Sequence, residues 1–261
     1  MRKIPIYHVD AFSRHVFGGN PAAVCPLEEW LPDSLMQTIA AENNLSETAF
    51  FVPKGREFEI RWFTPQTEVN LCGHATLAAA YVILNELECP DNFVHFHSLS
   101  GLLKVYRKND YLELDFPSMP PQPAEPLPEL IAAMGIAPQR ILRSRDYVCV
   151  YQTEEEVISL SPNWNALAKL DALGVIATAP GKECHFVSRF FAPKVGINED
   201  PVTGSAHSTL IPYWAERLGK SKMLARQLSK RGGELFCELH GNRVRIGGYA
   251  ALYLKGDINI P

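Results

Sequence analysis

The sequence has no long apolar run, no excess of basic charge and no paired cysteines, and each absence excludes a class of protein. Its six cysteines are scattered among 261 residues without a C-x-x-C pair, which favours reduced thiols over a disulfide framework. No apolar stretch approaches the roughly 20 residues of a membrane helix, and the N-terminal segment begins like a β-strand rather than a signal peptide. A net charge of −4 provides no basic footprint for nucleic acid. We therefore expect a cytoplasmic protein that binds neither nucleic acid nor a membrane.

The common signatures of nucleotide-binding and hydrolytic enzymes are also missing. Neither the dinucleotide motif G-x-G-x-x-G nor the phosphate loop G-x-x-x-x-G-K-[ST] occurs, and the G-x-S-x-G turn of α/β-hydrolases is absent. Cys72, His74, Asp200 and His207 could converge in the fold, but no H-x-x-x-H or C-x-x-C spacing supports a metal site. The spacing therefore predicts no metal.

A proline-rich stretch divides the chain into two halves. Residues 117–128 contain six prolines in twelve positions, which is typical of a semi-rigid extended connector. We predict an N-terminal domain over residues 1–116 and a C-terminal domain over residues 129–252. Within the second half, residues 154–160 are predicted to form a strand.

The two halves contain a short internal repeat. Arg61–Pro65 matches Arg189–Pro193, and each match is followed by a glycine turn, at Gly73–Ala75 and at Gly204–Ala206. Each glycine then opens an apolar helix, so both halves run strand, proline turn, loop, glycine turn and buried helix. This order indicates a duplication. Two like domains about a pseudo-twofold axis can aim two helix N-termini at one cleft, where backbone N–H groups would hold a carboxylate.

The stretch Asn198–Ser208 carries the chemistry-bearing residues of the second half. Asp200 precedes a proline, and Gly204 and Ser205 precede the apolar helix. One interpretation is an anion site at the helix start, with Asp200 as a catalytic carboxylate. The alternative is a plain helix start, with Ser205 as N-cap, Asp200 as a turn residue and His207 in a supporting role.

Three residues of the first half are candidates for acid/base chemistry. Glu47 comes just before a strand of large apolar residues, where partial burial would raise its pKa into a useful range, although a solvated carboxylate is the alternative. His74 lies at the start of a buried helix and is either catalytic or a capping histidine. Cys72 lies at the same helix N-terminus, which lowers the pKa of a thiol, or it is a small buried apolar residue.

Six motifs together resemble the phenazine biosynthesis PhzF-like isomerases, in matching order over most of the chain. They are Val9–Phe12, Gly19–Val24, Leu45–Phe50, Arg61–Pro65, Cys72–Thr76 and Glu199–His207.

The resemblance implies an α+β fold of the diaminopimelate-epimerase-like type. Such a fold has two pseudo-symmetric domains, each an open β-barrel-like sheet around a central buried helix, with the active site between them. It also implies a last strand, about residues 253–261, that returns to the first domain. Homodimers are usual in this family, and no metal or organic cofactor is expected.

The same resemblance assigns the site residues. Glu47 is the expected proton-transferring acid/base, and His74 and Asp200 are its expected catalytic companions. A small carboxylic acid is the expected substrate. The expected substrate-binding residues are Asn20, Cys72, Gly73, Ala75, Gly204 and Ser205.

Cys72 departs from the family pattern, because the phenazine enzyme has a small apolar residue before its Gly-His pair. Related racemases and epimerases use a thiol at this point, together with a second thiol that would fall between Asp200 and Gly204, where this chain has none. A symmetric two-thiol racemase is therefore not expected, whereas a mixed pair of Cys72 or Glu47 with Asp200 stays open. Three hypotheses follow: a proton-shifting isomerase, a racemase or epimerase with Cys72 as one base, and a non-catalytic binding protein for a small acid.

Overall fold

The computed structural model describes residues 2–87 and 89–260, and its chain forms two compact units. One unit holds the residues up to Asp115 together with those from Gly247 onward, and the other holds Phe116–Ile246. The proline-rich stretch thus belongs to the second unit, and the segment that returns to the first unit begins at Gly247. None of the described helices is long and apolar enough to cross a membrane.

The elements alternate strands and helices in both halves. The helices are α1 Asp33–Asn43, α2 Gly73–Tyr81, α3 Pro128–Met134, α4 Glu154–Ser159, α5 Trp164–Leu167 and α6 Gly204–Leu218, with a π-helical turn at Val82–Glu86 and a 3-10 turn at Pro193–Val195. The strands are β1 Arg2–Ala11, β2 Asn20–Pro26, β3 Glu47–Lys54, β4 Glu57–Phe63, β5 Glu68–Val69, β6 Phe93–Ser98, β7 Gly101–Lys108, β8 Tyr111–Pro117, β9 Gln122–Pro123, β10 Arg140–Arg143, β11 Tyr147–Val150, β12 Val175–Pro180, β13 Phe186–Ala192, β14 Ile197–Asp200, β15 Lys222–Gln227, β16 Gly233–His240, β17 Arg243–Gly248 and β18 Ala250–Ile260.

The sheet of the first unit runs in the order β18-β1-β2-β3-β4-β6-β7, with β5 beside β4. The β2–β3 and β4–β6 pairs are parallel and the others are antiparallel. Each parallel pair is joined by a helical crossover, α1 for the first and α2 for the second, because parallel neighbours need a long connection.

The second unit repeats this pattern strand for strand. Its sheet runs β9-β10-β11-β12-β13-β15-β16, with β14 beside β13, and its parallel pairs are β11–β12 and β13–β15. The short strand β9 of the proline-rich stretch therefore occupies the position that β18 occupies in the first unit.

A buried helix fills the concave side of each sheet. All residues of α2 from Gly73 to Ala80 are buried, and α2 contacts β1, β2, β3 and β18. In α6 the buried residues include Ala206 and the run from His207 to Pro212. A helix that is apolar nearly all round is stable only inside a core. The predicted α+β fold, with two similar domains that each wrap a sheet around a central helix, is confirmed.

Matching ion pairs mark the repeated pentapeptides. Arg61 on β4 donates to both carboxylate oxygens of Glu68, with N–O distances of 2.7 Å and 2.7 Å. Arg189 on β13 makes the same two-pronged contact with Glu199, at 2.7 Å and 2.9 Å. Each pair joins the strand before the proline turn to the strand after it. The repeat predicted from the sequence is therefore confirmed at the level of side chains.

The predicted strand at residues 154–160 is wrong, because Glu154–Ser159 is the helix α4. Thr153 accepts a hydrogen bond from the Glu156 N–H, and the Glu156 carboxylate accepts one from the Thr153 N–H. This capping box satisfies two backbone donors that a free helix start would leave exposed.

Candidate active site

Four predicted site residues of the first unit meet at the N-terminus of α2. Glu47 is the first residue of β3 and Asn20 is the first residue of β2. These strands are parallel neighbours, so their starts lie at one edge of the sheet. Cys72 is the N-cap of α2, and His74 is its second residue. The chain thus brings these four side chains together from three separate segments.

The imidazole of His74 is the centre of this group. Its Nε2 lies 3.2 Å from Glu47 Oε2. Its Nδ1 lies 3.2 Å from Asn20 Nδ2 and 3.4 Å from Cys72 Sγ. Asn20 is fully buried and the side chain of His74 is 6% exposed, whereas the Glu47 side chain is 13% exposed. Glu47 is therefore the member of the pair with more access to a ligand.

His74 is neutral in this environment. Burial lowers the pKa of His74 to about 3, because the charged imidazolium would lose its hydration. The Asn20 amide nitrogen can only donate, so Nδ1 is the acceptor and the single ring proton of His74 belongs on Nε2, the nitrogen that lies nearer to Glu47. A neutral imidazole lies beside Glu47 without neutralising it. It also supplies no positive charge that would stabilise a thiolate at Cys72.

Glu47, Cys72 and His74 each offer one possible ligand atom. These three atoms lie within 4.8 Å of one another, close enough to surround a metal ion. The closest contacts, however, use Nε2 of His74 towards Glu47 and Nδ1 towards Cys72. One ion binds only one ring nitrogen, so a shared metal would take the place of one of these two contacts.

The start of α2 offers backbone donors beside these side chains. The side chain of Cys72 makes no capping hydrogen bond to the first turn. Gly73 and Ala75, both predicted to bind substrate, lie in that turn and are buried. Uncapped N–H groups at a helix start favour an anion through their hydrogen bonds and through the helix dipole.

In the second unit, Asp200 ends β14 and Gly204 begins α6. The Asp200 carboxylate accepts a hydrogen bond from the Thr203 hydroxyl. Thr203 is the N-cap of α6, and its side chain does not cap the first turn. The alternative with Ser205 as N-cap is therefore wrong. Ser205 lies inside the first turn, so α6, like α2, begins without a side-chain cap.

Gln227 holds this turn and was missed by sequence reasoning. Its Nε2 donates to the Asp200 carbonyl at 2.8 Å and to Thr203 Oγ1 at 3.1 Å. Its Oε1 accepts from the Thr203 N–H at 2.9 Å. Gln227 is 1% exposed and ends β15, twenty-four residues beyond Thr203. Only the parallel pairing of β13 with β15 brings it to the turn, so no local motif could have revealed it.

His207 supports α6 from inside the core. Its ring is fully buried and its Nδ1 lies 2.8 Å from the Thr203 carbonyl. Burial lowers the pKa of His207 to about 4. The centroids of the His207 and Phe186 rings lie 5.9 Å apart. The supporting role considered for His207 agrees with this placement.

Each unit offers its own groups for proton transfer beside a bound anion. In the first unit, the Glu47 carboxylate lies beside a neutral imidazole and an uncapped helix start. In the second unit, Asp200 and Ser205 lie at the uncapped start of α6. Carboxylates positioned in this way act as general acids and bases.

Comparison with known proteins finds similar sequences and structures over nearly the whole chain. The family model described as "Phenazine biosynthesis-like protein" matches residues 9–256. An uncharacterized isomerase of Pseudomonas aeruginosa is 51% identical over 259 residues, covering 99% of this chain and 99% of that protein. A crystal structure of a phenazine biosynthesis protein of the PhzF family from Enterococcus faecalis has a TM-score of 0.97 and 50% identity, covering 99% of this chain and 100% of that one.

A more distant structure supports the fold alone. A hydroxyproline epimerase of Agrobacterium vitis has a TM-score of 0.67 at 11% identity, covering 98% of this chain and 92% of that one. Together with the similar structure from Enterococcus faecalis, it confirms the predicted fold class.

Proposed function

The chain belongs to the phenazine biosynthesis-like protein family, whose close relatives are named isomerases, and from this premise we propose a cofactor-independent isomerase that moves a proton within a small carboxylic acid. One observation carries the proposal: the Glu47 carboxylate lies 3.2 Å from a neutral, buried His74 at the uncapped start of α2.

Glu47 removes a proton from one carbon of the substrate and returns it to another. The electron pair of the broken C–H bond forms a new double bond, and the existing double bond of the substrate supplies the pair for the new C–H bond, so no net charge and no electrons are gained or lost. His74 packs against the carboxylate, with its Nε2 lying 3.2 Å from Glu47 Oε2. Asn20 fixes the tautomer of His74 because its amide nitrogen, lying 3.2 Å away, donates to Nδ1.

The substrate carboxylate binds to backbone N–H groups of the first turn of α2, at Gly73 and Ala75. Asp200, Gly204 and Ser205 act on the same substrate, with Asp200 orienting it or relaying the proton. N–H groups of helix starts stabilise the negative charge that develops when the C–H bond breaks. A homodimer in the cytoplasm, without nucleic acid or membrane partners, completes the proposal.

The test is deuterium exchange in D₂O with small carboxylic acids that carry an acidic C–H bond near the carboxyl group. Glu47→Gln keeps the side-chain shape but removes the base, and we expect the exchange rate to fall by roughly 10²- to 10⁴-fold. Glu28→Gln, an exposed glutamate, is the matched control and should exchange like the wild type. Near-native exchange by Glu47→Gln would assign the base elsewhere.

Prolonged dialysis against EDTA should leave the exchange rate unchanged. A rate that falls and returns with added Zn²⁺ would assign the chemistry to a metal at the Glu47, Cys72 and His74 cluster. If no acid exchanges with the wild type, a non-catalytic binding protein becomes the better hypothesis.

The position of Cys72 favours a second candidate, a racemase or epimerase with this thiol as one base, because its Sγ lies 3.4 Å from His74. Iodoacetamide separates the two candidates. Burial raises the pKa of Cys25 and of Cys149 to about 12, so these thiols stay protonated and unreactive. Alkylation mapped to Cys72, with loss of exchange that substrate prevents, would favour the racemase. Exchange that persists in Cys72→Ala would favour Glu47.

A further inference from the structure

A guanidinium that was not among the predicted site residues lies beside Ser205. Arg145, in the turn between β10 and β11, donates from Nη2 to Ser205 Oγ at 3.0 Å. The two residues are sixty positions apart in the chain. The sequence argument assumed that helix starts alone hold the substrate anion. The structure adds a positive charge to one of them.

A buried carboxylate fixes this guanidinium. Arg145 Nε and Nη2 donate to Asp146 Oδ2 at 3.2 Å and 3.0 Å. The Asp146 side chain is only 4% exposed, and its Oδ1 accepts from the Gly174 N–H at 3.1 Å. Because Asp146 is itself tied to the backbone, one edge of the guanidinium is held in a single orientation.

The Nη1 nitrogen of the guanidinium remains available. Among the residues that the structure describes, none accepts a hydrogen bond from Arg145 Nη1, and the Arg145 side chain is 43% exposed. Nη1 carries two N–H donors, and charged donors of this kind form strong hydrogen bonds with a carboxylate. Since the side chain is already ordered by Asp146, binding an anion costs little further conformational entropy.

The hydroxyl of Ser205 adds a donor at the same place. Its oxygen accepts from Arg145, so its own hydrogen is free to point at a ligand. A merely structural tie between the β10–β11 turn and α6 would account for the Nη2 contact. That tie does not use Nη1, which stays exposed beside the Ser205 hydroxyl.

We propose that Arg145 is a substrate-binding residue which, with the Ser205 hydroxyl, binds a carboxylate of the substrate. This assignment rests on the proposed function, because it takes Ser205 as a substrate contact. It adds a reason for a free acid as substrate, since an amide or an ester would bring no negative charge to Arg145.

The experiment is an NMR titration of the full-length chain with benzoate and with its uncharged isostere, benzamide. The wild type should bind benzoate more tightly than benzamide. Arg145→Gln should weaken benzoate binding roughly tenfold or more and leave benzamide binding unchanged, because one charge-assisted contact is lost. Arg145→Lys should restore part of the difference. Arg143→Gln, which removes a neighbouring charge bound to Asp171, is the control and should behave like the wild type.

Equal affinity of the wild type for benzoate and benzamide would overturn the assignment, and so would unchanged benzoate binding by Arg145→Gln. If Arg145→Gln does not fold, Arg145→Lys provides the reading through its benzoate-to-benzamide ratio, which a structural role would not alter. The proposed function fails separately: it is refuted if Glu47→Gln retains deuterium exchange, whatever Arg145 does. Loss of benzoate selectivity in Arg145→Gln would then still establish the anion contact.

Discussion

At the scale of single residues, the candidate site depends on how one imidazole is held. The Asn20 amide and the Cys72 thiol lie near Nδ1 of His74, and the Glu47 carboxylate lies near Nε2. Burial keeps the His74 ring neutral, so its position rather than its charge is what it contributes. Asn20, at the start of β2, fixes the position of the His74 ring. The backbone of the preceding residue, Gly19, fixes the position of Asn20.

Gly19 should be irreplaceable where a similar glycine is not. Gly19 and Gly55 have nearly the same positive φ, +64° and +65°. A Cβ at Gly55 would meet nothing within 4 Å, whereas one at Gly19 would lie 2.1 Å from the Ala11 carbonyl oxygen. Gly55→Ala should cost about 1–2 kcal/mol for its backbone conformation.

Gly19→Ala should cost about 1–3 kcal/mol more than Gly55→Ala because the backbone must move. It should also reduce deuterium exchange by displacing Asn20, whereas Gly55→Ala should exchange normally. Urea denaturation and the exchange assay measure the two effects. Equal stability of the two variants would contradict this account.

At the scale of elements, each unit locks its proline turn with a two-pronged Arg–Glu pair, but the two locks differ in burial. Arg189 is 11% exposed and also donates to the carbonyls of Val157 and Leu160, at 3.1 Å and 2.9 Å. Arg61 is 23% exposed, and its additional partner, Asp33, lies at the surface. The Arg189–Glu199 pair therefore joins α4 to the sheet and is largely buried. The Arg61–Glu68 pair is partly hydrated.

Arg189→Met should destabilise the protein more than Arg61→Met. The first change leaves a carboxylate and two carbonyls short of a donor in a largely buried place, which costs about 3–5 kcal/mol. The second change leaves groups that water can reach, so a loss of about 1–2 kcal/mol is expected. Urea midpoints of both variants measure the difference. A larger loss for Arg61→Met would show that burial is not what separates the two pairs.

At the scale of the whole molecule, each central helix contains a buried neutral histidine in its first turns. The folded pKa is about 3 for His74 and about 4 for His207, whereas an unfolded histidine titrates near its ordinary value of 6.5. Below that value the unfolded chain binds two protons that the folded chain does not. Each histidine therefore lowers the free energy of unfolding as the pH falls.

The loss should begin near pH 6.5 and continue to about pH 4 for His207 and to about pH 3 for His74, with each histidine contributing up to about 1.4 kcal/mol per pH unit. Replacing His207 by Gln should reduce the slope of the free energy of unfolding against pH in this window by roughly the contribution of one histidine. Urea unfolding at pH 7, 6, 5 and 4 measures the slope. His15→Gln, at an exposed position, is the control. A variant slope equal to that of the wild type would contradict the buried-neutral state of His207.

The sequence by itself determined the repeat and the two helix starts, and its resemblance to a known family implied the fold class. The helix starts follow from the local sequence, because an apolar helix after a glycine turn must be buried. The repeat follows from the match between Arg61–Pro65 and Arg189–Pro193. The sequence also named Glu47, His74 and Cys72, which the fold brings together. The strand predicted over residues 154–160 is wrong because the Thr153–Glu156 capping box starts the helix α4 there.

Only the tertiary structure decided which side chains hold the site residues. Gln227 reaches Thr203 through a parallel strand pair, and Arg145 reaches Ser205 across sixty residues. Such contacts carry no local periodicity, because they depend on strand register and on the path of turns. The charge state of His74 was likewise decided by burial, which removes water from the ring and which no spacing of residues in one sequence can report.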